Sequence, residues 1–415
     1  MIFFGLMSGL AAVLNGYLWR RLVRDTRLPP WAARSATLVL LVLAATVPAT
    51  LLSWRFISRS ATPALTSIAF GWLGVSFYSV ALLLVWDVYR VCRVLVRRRW
   101  RVAPSAPQAV EHPPQPLAAE AESRRVFLAR SVAASALLTS GGIGVFGVRS
   151  AVWDITTPEL SVALSRLPRQ LDGFSIALLT DVHIGPMLDG RFLRQLVDQT
   201  LRLKPDMIAI GGDLVDGHVR HIGSMVAELR RLTAPYGVYF VTGNHEYYSG
   251  ARHWIAFLQQ LGVNVLLNEH VAVGDAARGG ASFDLAGVTD FRAAKLGGVA
   301  PDAKRATEGR DPSRELIMLA HQPIQIAASA EVGAGLQLSG HTHGGQLYPF
   351  GSVTRFVQPY LAGLHRHVPA EPASVNSVSA GISPQIYVSR GTGFWGPPMR
   401  VLAPAEIALL RLYAG

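Results

Sequence analysis

An α/β domain carried behind N-terminal transmembrane helices is the architecture this sequence predicts, and three observations predict it. Long uncharged apolar runs occur only before residue 150 of the 415. The charge balance changes near residue 150: the first part holds 17 Arg against 5 acidic residues, and the remainder holds 22 basic against 22 acidic ones. From residue 170 onward, short apolar strands end in polar loops and alternate with amphipathic stretches.

The apolar runs span 2–19, 36–54 and 65–86, each close to the ~20 residues that cross a hydrocarbon core. Trp19, Trp54 and Trp86 stand at their ends, where interfacial anchors belong. Pro48 inside the second run is tolerable in a membrane if neighbouring groups satisfy the freed carbonyl. Five arginines separate the first and second runs, two the second and third, and six follow the third. Cytoplasmic loops carry the basic excess, so the first and third connections are expected inside and the N-terminus outside. The whole net charge of +12 lies in this part. A nucleic-acid partner needs surplus positive charge on the binding domain itself, and the neutral C-terminal part argues against one. Cys92 is the only cysteine, which excludes an intrachain disulfide and a CxxC metal site.

A Pro- and Ala-rich linker is expected over 102–122, since "APSAPQAVEHPPQPLAAE" has no apolar periodicity. "SRRVFLAR" (123–130) then precedes the uncharged run 131–148. Paired arginines before an apolar stretch resemble a twin-arginine export signal, here placed mid-chain; the plainer reading is a fourth membrane helix with basic flanks. Either places residues 151–415 on the outer side of a cytoplasmic membrane, as a retained domain.

Within that domain "FSIALLTDVH" (174–183), "DMIAIGGDLVD" (206–216) and "GVYFVTGNHE" (237–246) read as strands, with helices around 189–203, 218–232 and 250–261. After 262 strands dominate, among them "ELIMLAH", "LQLSGH" and "QIYVSR". Polar groups collect at the strand ends, where open α/β sheets place ligands. Asp181 and His183 follow the first strand, Asp213 the second, Asn244 and His245 the third, His321 a later one, and His341 and His343 the next. Eleven of the twelve histidines fall after residue 150. Burying so many polar groups is costly unless they are paired or metal-bound. Oxygen and nitrogen donors without sulfur suit Mn, Fe, Zn or Ni. Asp181, His183, Asp213, Asn244, His321, His341 and His343 are too many for one ion and fit two, sharing a bridging carboxylate, the arrangement suited to in-line phosphoryl displacement. His341 and His343, two apart in a segment read as extended, would face one cleft.

"DVH" (181–183), "GGDLVD" (211–216), "GNHE" (243–246), the histidine of "LAHQP" and "GHTHGG" (340–345) match, in order and type, the five-block signature of the calcineurin-like metallophosphoesterases. The resemblance covers roughly residues 170–350. "SRGTGFWGPPMRVLAPAEI" (389–407) is similar to a C-terminal block of the membrane-associated branch, which includes transmembrane proteins with a metallophosphoesterase domain and bacterial phosphodiesterases with twin-arginine-like leaders. The resemblance implies a four-layer α/β/β/α sandwich. It implies two divalent ions (Mn, Fe or Zn), one held by Asp181, His183, Asp213 and His343 and the other by Asp213, Asn244, His321 and His341. His245 resembles the family's non-ligand histidine, which stabilises the transition state or protonates the leaving oxygen. Asp216 either orients His245 or caps the helix after it. Arg390 and Arg400 carry either a site or a structural role.

The expected activity is therefore metal-dependent hydrolysis of a phosphoester by metal-activated hydroxide, with a phosphodiester or lipid-linked phosphate favoured by the tether. The alternatives are a phosphodiesterase of lipid A metabolism resembling UDP-diacylglucosamine hydrolase, or a metal-binding membrane sensor or scaffold without catalysis.

Overall fold

The computed structural model describes residues 2–54, 56–57, 61–99, 116–275, 280–368 and 384–415. The chain divides into two compact units, Met1–Ile57 with Ala64–Phe146, and Ser58–Pro63 with Gly147–Gly415.

The first unit is helical. Helices α1 (Ile2–Trp19), α2 (Pro30–Ser53), α3 (Pro63–Arg99) and α4 (Pro116–Val152) follow the expected apolar runs, α4 crossing into the second unit after Phe146. Residues Pro30–Ser53, Pro63–Arg99 and Glu122–Val152 are long and apolar enough to cross a membrane. The 18 residues of α1 lie at the short end of that range. Polar contacts tie the helices: the indole of Trp72 donates to Asn15 Oδ1 (3.0 Å), and the hydroxyls of Ser79 and Ser140 pair at 2.7 Å. Arg21, buried, reaches Asp25 (2.6 Å) and Asp87 (3.1 Å).

Helix α2 opens at Pro30, ahead of the run expected from 36, with proline at a first-turn position that tolerates it, and two further boundaries differ from expectation. Helix α3 continues thirteen residues beyond 86, through its basic segment, because arginines are good helix formers and only their water exposure separates them from the apolar run. Residues 116–122, expected in the linker, open α4, since "AAEAE" is built from strong helix formers. The rest of the expected linker lies outside the described residues.

The second unit contains β1 (Glu159–Leu164), β2 (Ser175–Leu179), α5 (Gly190–Arg202), β3 (Met207–Ile210), α6 (Val219–Val226), β4 (Val238–Phe240), α7 (Asn244–Tyr248), α8 (Ala251–Gln260) and β5 (Asn264–Val265). There follow β6 (Glu269–Gly274), β7 (Ser282–Gly287), β8 (Leu316–Leu319), β9 (Leu336–Ser339), β10 (Gly363–Arg366), β11 (Gln385–Val388) and β12 (Ala408–Ala414). They form two six-stranded sheets, ordered β1-β12-β2-β3-β4-β5 and β10-β11-β9-β8-β7-β6. Strands β2 to β5 run parallel, as do β7, β8, β9 and β11. Parallel strands covered on both faces read as unbroken apolar runs, which is how "SIALL" and "LIML" appear in the sequence.

The layer order follows from side-chain alternation. Ala177, Leu179, Ile208 and Ile210 face one core with Leu193, Leu196, Ile222, Trp254 and Leu258 of the helices. Their neighbours Ile176, Leu178, Met207 and Ala209 face a second core with Phe283, Leu285, Ile317, Leu319, Leu336 and Leu338 of the other sheet. Leu316 and Met318 point the opposite way, to a third core with Ala306 of the short helix Ala303–Ala306 and with Ala334, just after the short helix Ile326–Glu331. Helices, sheet, sheet and helices therefore stack in four layers, and both sheets turn the C-terminal ends of their central strands toward one edge, where the polar residues emerge.

Candidate metal centre

Strand β2 ends at Leu179 and releases Asp181 and His183; β3 ends at Ile210 and releases Asp213 and Asp216. Strand β4 is followed by α7, whose first residues are Asn244, His245 and Glu246. From the second sheet, β8 delivers His321 and β9 delivers His341 and His343. Asp181, His183, Asp213, His341 and His343 all adopt φ between 50° and 69°. Such left-handed backbone is strained for residues with a Cβ and gathers at functional sites. It turns consecutive side chains inward from strands that would otherwise carry them past the site. The local glycines follow from crowding: a Cβ on Gly212, itself at φ 88°, would lie 2.6 Å from the amide of Gly243, and one on Gly340 would collide with the side chains of Thr180 and Asp181.

Three groups of donors converge. Asp181, His183 and His343 form one; Asp213, His321 and His341 a second; His183, Asp216 and His245 a third. In the first, the Nε2 atoms of His183 and His343 are 3.2 Å apart, and Asp181 Oδ1 is 3.5 Å from His343 Nε2. Asp213 Oδ2 lies 3.9 Å from His183 Nε2 and 3.1 Å from His321 Nε2, so this carboxylate stands between the first two groups. In the third, the imidazole Nδ1 of His245 is in close contact with Asp216 Oδ1. The N-cap of α6 is His218, whose Nδ1 accepts from Arg220, so Asp216 does not cap that helix.

The donors fit divalent cations on chemical grounds. His321 Nδ1 donates to the Gly211 carbonyl (2.8 Å), which leaves a lone pair on Nε2, the usual way an outer hydrogen bond fixes a metal-binding tautomer. That Nε2 stands 3.1 Å from Asp213 Oδ2 without hydrogen-bond alignment. Burial disfavours charge on the ring, but Asp213 outweighs it and raises its pKa well above the imidazole range, so a cation, a proton in the metal-free protein or a divalent ion in its place, belongs between the two. Asn244 Oδ1 is likewise buried with no partner. Burial drives His343 toward its neutral form, helped by His183 and the guanidinium of Arg400, and its pKa falls well below the imidazole range. Burial also takes His341 down to about 3, with His321 adding to it. Neutral imidazole is the metal-binding form. Burial works to raise the Asp213 pKa, but His321, His245 and His183 outweigh it and hold the carboxyl well below its ordinary value.

His341 and His343 reach separate groups by a different route from the extended segment expected. Both sit at left-handed φ, and Thr342 closes a turn by accepting from Gly344, so the pair is splayed by the turn and not aligned by a strand. His218, His221, His253, His270, His365 and His367 belong to none of the three groups.

One group escaped the sequence reading, and a second, Arg400, was left open between a site and a structural role. Glu246 is fully buried and accepts the amides of Gly243 (2.6 Å), Asp213 (3.0 Å) and Leu214 (2.8 Å), pinning the β3 loop to the β4 loop. Burial foremost, then Asp213, raises its pKa to about 8. Arg400 is also fully buried. Its Nε donates to Gly393 (2.8 Å), its Nη1 to Ala403 (3.0 Å) and to the His343 carbonyl (3.2 Å), and its Nη2 lies 3.3 Å from His343 Nδ1. Gly393 in turn donates to the Asp181 carbonyl (2.9 Å). The block 389–407 is thus the wall against which Asp181 and His343 are set. Arg390 lies apart from the donors, bonded to buried Glu406 at 2.8 Å.

Residues 174–345 match the model of the family described as calcineurin-like phosphoesterase. An "uncharacterized metallophosphoesterase" of Helicobacter pylori is 40% identical over 255 residues, 61% of this chain and 63% of that protein, so the chain spans somewhat under two thirds of that relative's length. A "transmembrane protein with metallophosphoesterase domain" of Danio rerio is 30% identical over 401 residues, 94% of this chain and 84% of that protein. A solved dimetal phosphatase of Danio rerio superposes with a TM-score of 0.31 at 14% identity, covering 53% of this chain and 88% of that one. With its signature residues gathered at one edge of a four-layer sandwich and a relative matched along nearly its whole length, the chain belongs to the calcineurin-like metallophosphoesterase family.

Proposed function

We propose that this protein is a membrane-anchored phosphoesterase that uses two divalent cations. Asp181, His183, Asp213 and His343 would hold one ion, and Asp213, Asn244, His321 and His341 the other, with Asp213 common to both. The observation that carries this reading is the pair of buried orphan donors, Asn244 Oδ1 and His321 Nε2, flanking a carboxylate that also faces the first group. Bound there, the ions would supply Lewis-acid stabilisation of the phosphate oxygens and acidify a water for attack.

The chain's own residues do the rest. His245 carries the proton for the leaving oxygen. In the metal-free protein burial disfavours its charged form, yet Asp216 and Asp213 raise its pKa to about 9; Asp216, which holds neither proposed ion, is the partner that favours the protonated ring. Asp216 at Nδ1 fixes the ring and leaves Nε2 as the donating nitrogen. The deciding experiment is hydrolysis of aryl phosphomonoesters, aryl phosphodiesters and phospholipids by chelator-treated protein, with Mn or Zn added back. Activity that survives chelation, or that is unchanged in His343→Ala, overturns the two-metal reading.

A phosphodiester or lipid-linked phosphate is the favoured substrate because the catalytic unit is joined directly to an apolar helix. The arginine distribution in the first unit favours the outer side of the membrane for this domain. Protease removal of a C-terminal tag from intact spheroplasts tests that side; a protected tag reverses the orientation.

A further inference from the structure

The second unit exposes a group of large apolar side chains beside the metal centre. Tyr348, Phe350, Val353, Phe356 and Val357 lie on the segment that leaves the "GHTHGG" loop, and Leu402 lies on the C-terminal block. Phe356 is 89% exposed, Leu402 74% and Val357 68%, values that set them apart from the scattered half-exposed residues normal on a protein surface. They share one backbone scaffold. Leu347 bridges Val401, the Tyr348 amide donates to the Val401 carbonyl (3.2 Å), and the Gln346 side chain bonds Trp395 and Pro397. Gly351 packs so closely on Gly345 that a Cβ there would meet its backbone.

Two further contacts give this lip its meaning. The first is with the end of α4. Residues 147–152 belong to the second unit, the Arg400 amide donates to the Gly147 carbonyl (2.9 Å), and a Cβ on Gly147 would lie 2.7 Å from Met399. The residues flanking Leu402 therefore press on the apolar helix where it enters the domain, with exposed Trp153 and the Arg149–Asp154 pair (2.9 Å) just beyond. The second contact is with the site: the exposed ring of Trp395 stands 5.8 Å from that of His245, and half-exposed Tyr248 5.3 Å from it on another side. Exposed Arg355 lies between Val353 and Phe356 along the chain, the place of a cation that keeps its head at the water boundary beside anionic lipid.

We propose that this lip lies in the surface of the bilayer that α4 crosses, and that the metal centre takes its phosphoester from a lipid headgroup passing over Trp395. The continuity with α4 singles out the membrane as occupant, because a surface fixed to the emerging end of a spanning helix is held at the depth of the lipid boundary. The substrate half of the proposal rests on the phosphoesterase reading; the docking half does not.

The test uses the full chain carrying Cys92→Ser, reconstituted in phosphatidylethanolamine and phosphatidylglycerol vesicles. An environment-sensitive fluorophore is attached to Phe356→Cys, or to Arg202→Cys at the end of α5 as reference. We expect a blue shift and quenching by doxyl lipids at 356, and quenching by aqueous iodide at 202. Iodide quenching at 356 equal to that at 202 overturns the proposal, and so does shielding from both quenchers, which would assign the lip to a protein partner. In the same vesicles, Phe356→Asp combined with Val357→Asp should lower the ratio of vesicle-lipid to soluble aryl phosphodiester turnover at least about tenfold, the loss expected on withdrawing a buried aromatic. An unchanged ratio overturns delivery from the bilayer. Absence of turnover of aryl phosphomonoester, aryl phosphodiester and vesicle lipid alike in the unsubstituted protein defeats the phosphoesterase reading and leaves the fluorophore result standing.

Discussion

The two sheets contribute unlike chemistry to one edge. The first provides the carboxylates and the amide, Asp181, Asp213, Asp216 and Asn244, with two histidines; the second provides imidazoles alone, from His321, His341 and His343. Each of the two candidate metal groups draws on both sheets, whereas the His183, Asp216 and His245 group lies on the first sheet only. Metal affinity should therefore report on how the sheets are docked, and proton transfer should be separable from it. Four substitutions or conditions break or sharpen that contrast.

Asp213→Asn removes the carboxylate that stands between the two groups. Elemental analysis should find fewer than two ions per chain, and hydrolysis should fall by more than the ~100-fold that losing an outer partner costs; retention of both ions would refute the shared-ligand assignment. His245→Ala should lower turnover by about 10²–10⁴-fold with metal content unchanged, since its partners come from the first sheet. Metal loss in that variant would mean the histidine is a ligand. Arg400→Met should weaken metal binding about 10–100-fold, because a buried side chain of matched length remains while the contacts holding His343 are gone. Calorimetric titration with Mn would reveal it as one weakened site, and two equally weakened sites would contradict a local role.

The smallest effect concerns the metal-free protein. The folded His245 pKa, about 9, lies above the ordinary 6.5, so the folded state binds the extra proton. Its contribution is complete below pH 6.5 and is lost as the pH rises through about 9. Denaturant titrations in chelator should show stability declining over that window by a few kcal/mol; His245→Gln should flatten the decline between about pH 8 and 9 and leave the part below about pH 8 to which buried Glu246 contributes.

The donors were legible in the sequence because each stands just past an apolar run, and the order of the runs carries the family pattern. Strands β2, β3, β4, β8, β9 and β11 and helices α5, α6 and α8 were legible for the same reason. Strand β1 was not: it pairs with β12, some 250 positions away along the chain, and its alternating "ELSVAL" is short and weak by itself. Arg400 was left open for a related reason. An arginine between Met399 and Val401 reads as surface until the loops carrying Gly393, Ala403 and His343 close around it. Glu246 escaped because its partners are backbone amides, which carry no sequence signal.

By itself the sequence determined the apolar helices, the alternation of strand and helix, and which residues are candidate donors, because hydrophobic period and residue type are local properties. Only the tertiary structure decided which donors share a group, how "GHTHGG" sends His341 and His343 to different groups, and that the C-terminal block walls the site. Those relations depend on left-handed backbone at five candidate ligand positions and on the packing of one sheet against the other. Distances between residues 160 positions apart, such as His183 and His343, exist only once that packing has formed.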